Sequence, residues 1–330
     1  MLYMVINMEL VDFGDSNALL VTDDVARTVL VDELRRRWNV YEYRTFPGPQ
    51  PVSIERVHME RLFADPYWVC EKSDGMRFLF VCTRYNDKPY CFLMDRKLDI
   101  YMLDLEMVTG AFDGTILDGE LVRNKITHRF EYLVYDSTMV MGVSTMNLPH
   151  SERIKKSLDV VQFIRYNNNA PFLMRMKAFY PIREMDAYVR DVVPTIGHDI
   201  DGYIFTPENE PVKSGTHFTL YKWKERVKNT VDFLLERNHY KPGEYISKIA
   251  KGKTLKSLFD NRVLIERGSD VDVHLKQHGS AIVECEYLSP SCWRAALVRH
   301  DKTRPNSHLT WTKTLINIDE NIQLKEFYTK

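Results

Sequence analysis

The sequence has little that would mark a membrane-bound, secreted or disulfide-linked protein. None of its 330 residues falls in an apolar run near the ~18 residues that span a bilayer. The first residues, MLYMVINMELVDFGD, are too acidic for a secretory signal and indicate a first strand. The five cysteines are odd in number and dispersed, without a C-x-x-C pair, so no disulfide framework is expected. We therefore expect an intracellular protein of a reducing compartment, with no membrane partner.

A large positive excess is also missing. The chain has 45 Lys and Arg against 46 Asp and Glu, a formal net charge of −1. Proteins that bind long stretches of nucleic acid neutralise many phosphates and usually carry a positive excess. This composition therefore favours contacts to a few phosphates, or a nucleotide bound in a local basic patch.

Two patterns that suggest chemistry are incomplete. His274 and His278 have the i, i+4 spacing of metal ligands on a helix, but no third ligand is near them in sequence. The GKT at residues 252–254 resembles the end of a P-loop, but Ser247 occupies the position where a P-loop has glycine. A solvated surface is the simpler interpretation of both.

Hydrophobic periodicity predicts a mostly β chain with a few helices, and the length allows two domains. Near residue 225 the pattern changes to short β-like runs with lysine-rich turns, which is typical of a small antiparallel barrel. We predict helices over 24–38, 149–164, 184–193 and about 315–330, and strands over 67–72, 77–85, 90–95, 98–103, 115–123, 130–140, 171–179, 201–206 and 218–224.

The stretch VCEKSDGMRF, residues 69–78, places a lysine at the inner end of a buried-looking strand, beside an Asp-Gly turn. An ammonium group is expensive to desolvate there, so the position suggests a function. On these residues alone, a surface hairpin with an incidental lysine is the alternative.

Five further runs carry charged or aromatic residues at strand ends. Each has an ordinary explanation as a turn, an edge strand or a solvated charge cluster. Together they supply cations, carboxylates and an aromatic ring, which suit a nucleoside triphosphate and a divalent metal. The runs are TILDGELV (115–122), FEYLVYD (130–136), DGYIFTP (201–207), LYKWK (220–224) and RHDKTRPN (299–306).

In this order, the runs resemble the six motifs of the covalent nucleotidyltransferases, the superfamily of mRNA capping enzymes and ATP-dependent polynucleotide ligases. EKSDGMR, KWK followed by NTVDF, and R-x-D-K-x-x-P-N resemble the mRNA guanylyltransferase branch. PGPQPVSIER and TKTLINIDENI are similar to single-function capping enzymes of large DNA viruses of algae and protists.

The resemblance implies an α+β fold with two domains. Residues 1–225 would form a nucleotidyltransferase domain of the ATP-grasp-like ligase and capping type, built from antiparallel sheets with flanking helices. Residues 226–314 would form a C-terminal OB-fold β-barrel, and the helix at about 315–330 would pack back on the first domain.

The resemblance also assigns roles around the motif lysine. Lys72 would be the nucleophile that forms a phosphoramidate with GMP, and it must be neutral to attack. Asp74 would orient the site. Arg77 and Arg96 would contact the ribose or the α-phosphate side, and Glu120 would hold the sugar or the metal.

The remaining motif residues would bind the base and the phosphates. Tyr135 would stack on guanine, where the family often has phenylalanine, and Lys177 would approach the guanine edge and favour GTP over ATP. Asp201 would bind metal or order the phosphates. Lys222 and Lys224, which alternation places on one side of a strand, would hold the α-phosphate.

Three residues of the second domain, Arg299, Asp301 and Lys302, would reach the β- and γ-phosphates. The implied cofactor is a divalent cation, Mg²⁺ or Mn²⁺, held by Glu120 and Asp201. The implied partners are GTP and a 5′-diphosphate RNA end. No triphosphatase module is expected before residue 69, so an RNA triphosphatase and a cap methyltransferase would be supplied separately.

The expected protein is a monomeric mRNA guanylyltransferase that acts where viral or nuclear transcription occurs. An ATP-dependent DNA or RNA ligase using the same lysine is the alternative, although it would need a broad basic surface for a nicked duplex. A non-catalytic sensor of RNA ends on the same fold is a further alternative, which would not need a lysine nucleophile.

Overall fold

The computed structural model describes residues 7–38, 46–85, 87–166, 169–241, 243–300 and 302–328. Contacts between backbone segments divide the chain into two compact units. The first takes the described parts of 1–52, 60–222 and 327–330, and the second those of 53–59 and 223–326. No helix in the described ranges is long and apolar enough to cross a membrane.

The chain up to residue 223 is mixed α+β, as expected. In chain order its elements are β1 (Met8–Phe13), β2 (Ser16–Val21), α1 (Asp24–Trp38), β3 (Pro49–Ser53), α2 (Arg56–Ala64), β4 (Tyr67–Ser73), β5 (Met76–Tyr85), β6 (Lys88–Met94), β7 (Ile100–Met102), β8 (Thr115–Arg123), β9 (Phe130–Val140), β10 (Val143–Ser144), α3 (His150–Val161), β11 (Leu173–Met176), β12 (Tyr180–Pro181), α4 (Met185–Ala187), β13 (Ile200–Pro207) and β14 (Gly215–Trp223).

The larger sheet of the first unit has nine strands, and its central strands are buried on both faces. Its order is β1-β2-β7-β6-β5-β8-β9-β10, with β11 paired to β9 in parallel. Alternate residues of β5 enter two separate cores: Phe80 packs in one and Leu79 in the other, together with Trp38 of α1. This double burial explains why β5 reads as an uninterrupted apolar run.

Helix α1 begins and ends where the periodicity predicts. The side chain of Asp23 accepts hydrogen bonds from the backbone N–H groups of Val25 and Ala26, both at 2.9 Å, and so caps the first turn. Leu30, Leu34 and Trp38 of the helix are buried. The capping residue and the apolar face therefore both support the predicted bounds of this helix.

The smaller sheet carries the lysine strand. Its order is β12-β4-β13-β14-β3, so β4 lies between β12 and β13. Tyr67 of β4 and Tyr221 of β14 stack with ring centroids 5.8 Å apart. This sheet brings Lys72, Asp201 and Lys222 onto neighbouring strands.

Two of the β-bulges in the strand pairing coincide with motif residues. Between β4 and β13, Ile200 opposes Ser73 and Tyr203 opposes Glu71, so Asp201 and Gly202 both lie opposite Lys72. Gly202 has φ +136°, a conformation that favours glycine. A bulge re-aims the side chains beside it, which neither strand periodicity nor the motif reveals.

The second bulge lies between β8 and β9. Asp118 opposes Asp136 while Gly119 opposes Val134, which leaves Tyr135 as the extra residue. Strand β8 confirms the predicted strand over 115–123, and the DGE run lies in its middle instead of at the strand end where it was expected. Gly119 is required there because an added Cβ would lie 2.5 Å from Cζ of Tyr132.

The second unit is a six-stranded sheet with two helices. Its elements are β15 (Thr230–Arg237), β16 (Tyr245–Lys251), β17 (Thr254–Leu258), β18 (Arg262–Leu264), α5 (Asp270–His278), β19 (Ser280–Ser289), β20 (Cys292–Val298) and α6 (His308–Glu320). The strand order is β17-β16-β15-β19-β20-β18, antiparallel except for β18 on β20. Phe233 and Trp293 pack edge to face in its core, 5.3 Å apart. The sheet is a curled half-barrel, so the expected OB-fold barrel is not confirmed.

The closing helix lies earlier than predicted. Helix α6 begins after Ser307, whose side chain accepts a hydrogen bond from the N–H of Thr310 at 3.0 Å, and ends at Asn321 in the left-handed conformation. Residues 324–327 form a separate 3-10 turn. The prediction of a helix over about 315–330 is wrong because the caps at Ser307 and Asn321 determine its bounds.

Candidate active site

The motif lysine is held by a carboxylate from the neighbouring strand. Nζ of Lys72 donates to Oδ2 of Asp201 at 3.0 Å, and both side chains are partly buried. The bulge at Asp201 and Gly202 places this carboxylate opposite the lysine. The amine of Lys72 is therefore paired with a carboxylate from the neighbouring strand.

A buried arginine and the bulged tyrosine share a second carboxylate. Arg77 binds Asp118 with two hydrogen bonds, of 2.9 Å from Nε and 2.5 Å from Nη2, and its Nη1 donates to the Pro49 carbonyl at 2.7 Å. The hydroxyl of Tyr135 donates to the same Asp118 at 2.7 Å. Burial opposes the charge of Arg77, but Asp118 raises the pKa of the guanidinium overall.

Glu120 differs from these paired groups. Its half-buried carboxylate accepts no hydrogen bond from any residue in the described ranges. Burial raises the pKa of Glu120, and the positive charges of Lys177, Lys72 and Arg77 offset only part of that effect. The carboxylate therefore has acceptor capacity for a bound hydroxyl or cation.

Behind the lysine, Glu71 forms the centre of a buried network that sequence reasoning missed. Its carboxylate accepts from the Tyr188 hydroxyl at 2.8 Å and lies 3.3 Å from Nζ of Lys177 and 3.4 Å from Nε2 of His198. Burial would raise the pKa of Glu71, but Lys177, His198 and Tyr188 hold it at about 2. Tyr188 and His198 lie outside every motif, so no local signal could have identified them.

Several predicted residues therefore converge on one pocket. Nζ of Lys177 lies 5.6 Å from the centroid of the Tyr135 ring, and the Arg77 guanidinium carbon lies 5.9 Å from it. The pocket combines a lysine with a carboxylate partner, an aromatic ring, further cations and a carboxylate, Glu120, that accepts no hydrogen bond from the described residues. That combination can bind a purine base, a ribose and phosphates.

The other predicted residues make contacts of their own. Arg96 is exposed and donates to Oε1 of Gln50 at 2.7 Å. Asp74 is exposed, and its backbone N–H donates to the Asp199 carbonyl at 2.9 Å. Lys222 lies on β14, next to β13, whereas Lys224 belongs to the second unit.

The second unit contains the other basic cluster. The buried carboxylate of Asp232 lies 3.1 Å from Nη1 of Arg299 and also pairs with Lys302, and Glu284 lies 2.8 Å from the same Arg299 nitrogen. Asn306 donates to Asp232 at 3.2 Å. Asp301 lies outside the described residues. Asp232, in the NTVDF run, is the organising residue that the sequence reading did not single out.

The histidine pair acquires a neighbour that sequence spacing could not show. The rings of His274 and His278 lie 4.3 Å apart, and the ring of His300 lies 5.3 Å from that of His274. No group of three His, Cys, Asp or Glu side chains in the described part of the chain has the geometry to hold a metal ion.

Comparison with protein families matches nearly the whole chain. The catalytic domain of mRNA capping enzymes matches residues 18–226, and their C-terminal domain matches residues 228–328. The two matches meet where the sequence pattern changes.

Curated relatives carry the same name. The mRNA-capping enzyme subunit alpha of Schizosaccharomyces pombe is 30% identical over 319 residues, which cover 86% of this chain and 78% of the relative. That of Neurospora crassa is 33% identical, covering 58% of this chain and 54% of the relative. An mRNA-capping enzyme of Caenorhabditis elegans is 26% identical, covering 89% of this chain and 51% of the relative. The chain thus spans about half the length of some relatives.

A solved mycobacterial DNA ligase D, complexed with ATP and MES, is 14% identical with a TM-score of 0.41, covering 79% of this chain and 97% of the ligase. Similarity this low says nothing about function. The three capping-enzyme relatives above are fungal and nematode proteins. The narrower similarity to viral capping enzymes therefore stays a prediction. From the two domain matches and the pocket around Lys72, the chain belongs to the mRNA capping enzyme family, as a nucleotidyltransferase of the guanylyltransferase type.

Proposed function

We propose that this protein transfers GMP from GTP, through a covalent lysyl-N-GMP intermediate, to the 5′-diphosphate end of RNA, which forms a GpppN cap. One observation carries the proposal. Lys72 contacts Asp201 at 3.0 Å in a pocket that also contains Tyr135, Arg77, and the carboxylate of Glu120. A binding protein that only senses RNA ends would not need this lysine.

In the first step, the amine of Lys72 attacks the α-phosphorus of GTP. A P–N bond forms, the bond to the β-phosphate oxygen breaks, and pyrophosphate leaves. Asp201 accepts the proton that Lys72 must lose. In the second step, an oxygen of the RNA diphosphate attacks the same phosphorus, the P–N bond breaks, and Lys72 regains a proton.

The other groups of the pocket position GTP. Tyr135 stacks on guanine, and Lys177 binds its O6 and N7 edge. Arg77 and Arg96 serve the ribose and α-phosphate side. Nη1 and Nη2 of Arg77 bind the Pro49 carbonyl and Asp118, which fixes the guanidinium, and each nitrogen keeps a second N–H for the ligand.

Two lysines complete the α-phosphate site in this proposal. Lys222 and Lys224 flank the buried Trp223, so alternation directs them to the side away from that ring. Asp74 is the exposed turn residue of the motif and orients the approach of the substrate.

A divalent cation fits the donor set. Glu120 has a carboxylate with no hydrogen bond in the described part of the chain, and Asp201 offers a second carboxylate, both being hard oxygen ligands that Mg²⁺ or Mn²⁺ prefers. When bound, the cation would neutralise phosphate charge. Glu120 would hold it or the ribose hydroxyls, and Asp201 would divide its role between the cation and Lys72.

The basic cluster of the second unit binds the leaving group in this scheme. Arg299 and Lys302, with Asp301, contact the β- and γ-phosphates, which are present only in the first step. Their present partners are the carboxylates of Asp232 and Glu284. A triphosphate must therefore compete with these carboxylates for the two cations.

The proposed organisation has two domains. Residues 1–225 form the nucleotidyltransferase domain and residues 226–314 the second domain, in a protein that acts as a monomer. The RNA triphosphatase and cap methyltransferase activities come from separate proteins. The near-neutral net charge of −1 is compatible with reading RNA only at its end.

Incubation with each of the four radiolabelled nucleoside triphosphates tests the proposal. GTP should leave a label on the protein that survives denaturation, whereas an ATP adduct would indicate a ligase. Lys72→Ala should abolish the adduct because no other amine replaces the nucleophile. The matched control, Lys97→Ala at an exposed lysine, should label like the parent. Label mapped to a peptide without Lys72 would contradict the assignment.

A further inference from the structure

The ammonium group of Lys177 is fixed 5.6 Å from the centroid of the Tyr135 ring. Its backbone N–H donates to the Val134 carbonyl at 2.9 Å, which anchors the residue beside the bulge that carries Tyr135. Its Nζ donates to the Glu71 carbonyl at 2.9 Å and lies 3.3 Å from Oε1 of the same residue. Glu71 alone therefore occupies two of the three N–H donors of this lysine.

Glu71 is itself held rigidly from behind. The Tyr188 hydroxyl donates to Oε2 at 2.8 Å and accepts from the Glu71 N–H at 2.8 Å, so it binds both ends of the residue. Ser73 donates to Oε1 at 3.3 Å, and His198 lies 3.4 Å from the same oxygen. Glu71 is only 3% exposed. A carboxylate with this many partners has little freedom to move.

A fixed ammonium beside an aromatic platform has a chemical consequence for the base that stacks there. Guanine presents O6 and N7, both acceptors, whereas adenine presents a donor amino group in place of O6. An ammonium group has donors only. Its third N–H therefore favours guanine over adenine, provided that the lysine cannot swing away from the edge.

We propose that Glu71, held by Tyr188 and His198, is the positioning residue that sets the preference for 6-oxopurine nucleotides through Lys177. The inference rests on the proposed function, in which Lys177 binds the guanine edge. It adds three residues, none of them in direct contact with the nucleotide, to the determinants of base selection.

The test compares adduct formation with GTP, ITP and ATP at limiting concentrations, for the parent, Glu71→Gln and Tyr188→Phe. Inosine keeps O6 and N7 but lacks the 2-amino group, so it isolates the edge that Lys177 would bind. In Glu71→Gln, kcat/KM should fall about ten- to a hundred-fold for both GTP and ITP, the range for one good base-edge contact, mainly through KM. The ATP value should change much less.

Tyr188→Phe should show the same pattern with a smaller loss. It removes only the hydroxyl, and the ring keeps its packing against Tyr180, 5.2 Å away. This variant decides the question if Glu71→Gln fails to fold. The matched control is Glu131→Gln, which removes another buried carboxylate paired with a cation near β11, Arg175 at 2.8 Å. It should lower the melting temperature and leave the GTP:ATP ratio unchanged.

Equal losses for all three nucleotides in Glu71→Gln and Tyr188→Phe would overturn the inference, because they would show that Glu71 only supports the fold. An unchanged GTP:ATP ratio in folded Tyr188→Phe and Glu71→Gln would also overturn it. Failure of the proposed function looks different, since the parent protein would then form no covalent adduct with GTP.

Discussion

The Lys72 pocket contains two glutamates whose surroundings differ in kind. Glu71 is buried and has four side-chain partners, and its pKa is held at about 2. Glu120 is half-buried and accepts no hydrogen bond in the described ranges, and burial raises its pKa. Lys177 acts on both carboxylates, so proximity to this cation does not explain the difference.

The difference follows from hydrogen bonding. Buried polar groups in native proteins are nearly always paired, and an exception at a pocket indicates a group that a ligand completes. The carboxylate of Glu71 has its hydrogen-bond partners within the protein and serves to position them. The carboxylate of Glu120 accepts no hydrogen bond from the described residues, so a ribose hydroxyl or a cation would be its partner.

A substitution of Glu120 should give the largest effect and is the strongest test of the difference between the two glutamates. Glu120→Gln keeps the shape but removes the charge, so adduct formation with GTP should fall on the order of 10²-fold, the scale for one preorganised electrostatic contact. The folded protein should become more stable at pH 7, because the folded-state pKa is raised and the charged form is therefore disfavoured by folding. Each kcal/mol gained should raise the melting temperature by about 2–4 °C.

Quantitative labelling and thermal unfolding of the same preparation measure both effects. Glu131→Gln serves as the control, because its carboxylate is paired and its loss should destabilise the protein. A Glu120→Gln protein that is less stable than the parent at pH 7 would show that Glu120 has a structural partner after all.

Substitution of Tyr135 should have a smaller effect than substitution of Glu120. Tyr135→Ala removes the platform and should weaken GTP binding by about 1–3 kcal/mol, the range for a base stacked on an aromatic ring. Tyr135→Phe keeps the ring and loses the hydrogen bond to Asp118, so GTP binding should change little. Equilibrium binding of GTP to both variants, made with Lys72→Ala to prevent reaction, provides the measurement. Equal affinity of the parent and the alanine variant would mean that another residue stacks on the base.

The pH dependence of unfolding distinguishes the two glutamates, because their contributions to stability change in opposite directions with pH. This is the smallest of the expected effects. The pKa of Glu71 is lowered on folding, so its contribution is present at neutral pH and is lost as pH falls towards about 2. The pKa of Glu120 is raised, so its contribution is present in acid and is lost as pH rises through the folded-state pKa.

Urea unfolding midpoints between pH 7 and pH 3 should therefore decline less steeply with acid in Glu71→Gln than in the parent. In Glu120→Gln they should decline more steeply, because the variant lacks the group that becomes favourable in acid. Parallel curves for the two variants would show that the carboxylates have equivalent environments.

Much of the fold followed from local patterns. Helix α1 was predictable because its cap, Asp23, directly precedes the fifteen residues that carry its apolar face, and β5 because its burial on both faces requires an apolar run. The bounds of α6 were missed since Ser307 and Asn321 are common residues whose capping depends on backbone conformation. The motif lysine, Lys72, was identifiable because desolvating an ammonium group costs free energy, and a lysine in a buried-looking strand therefore suggests a function.

The sequence by itself determined the order of the motifs and hence the family, because each motif is a run of adjacent residues. Only the tertiary structure decided how these residues meet. Asp201 faces Lys72 through a bulge at Gly202, and Glu71 meets Tyr188, which lies 117 positions further along the chain. Contacts at such separation leave no periodic trace, since each depends on strand pairing and register that many other residues set together.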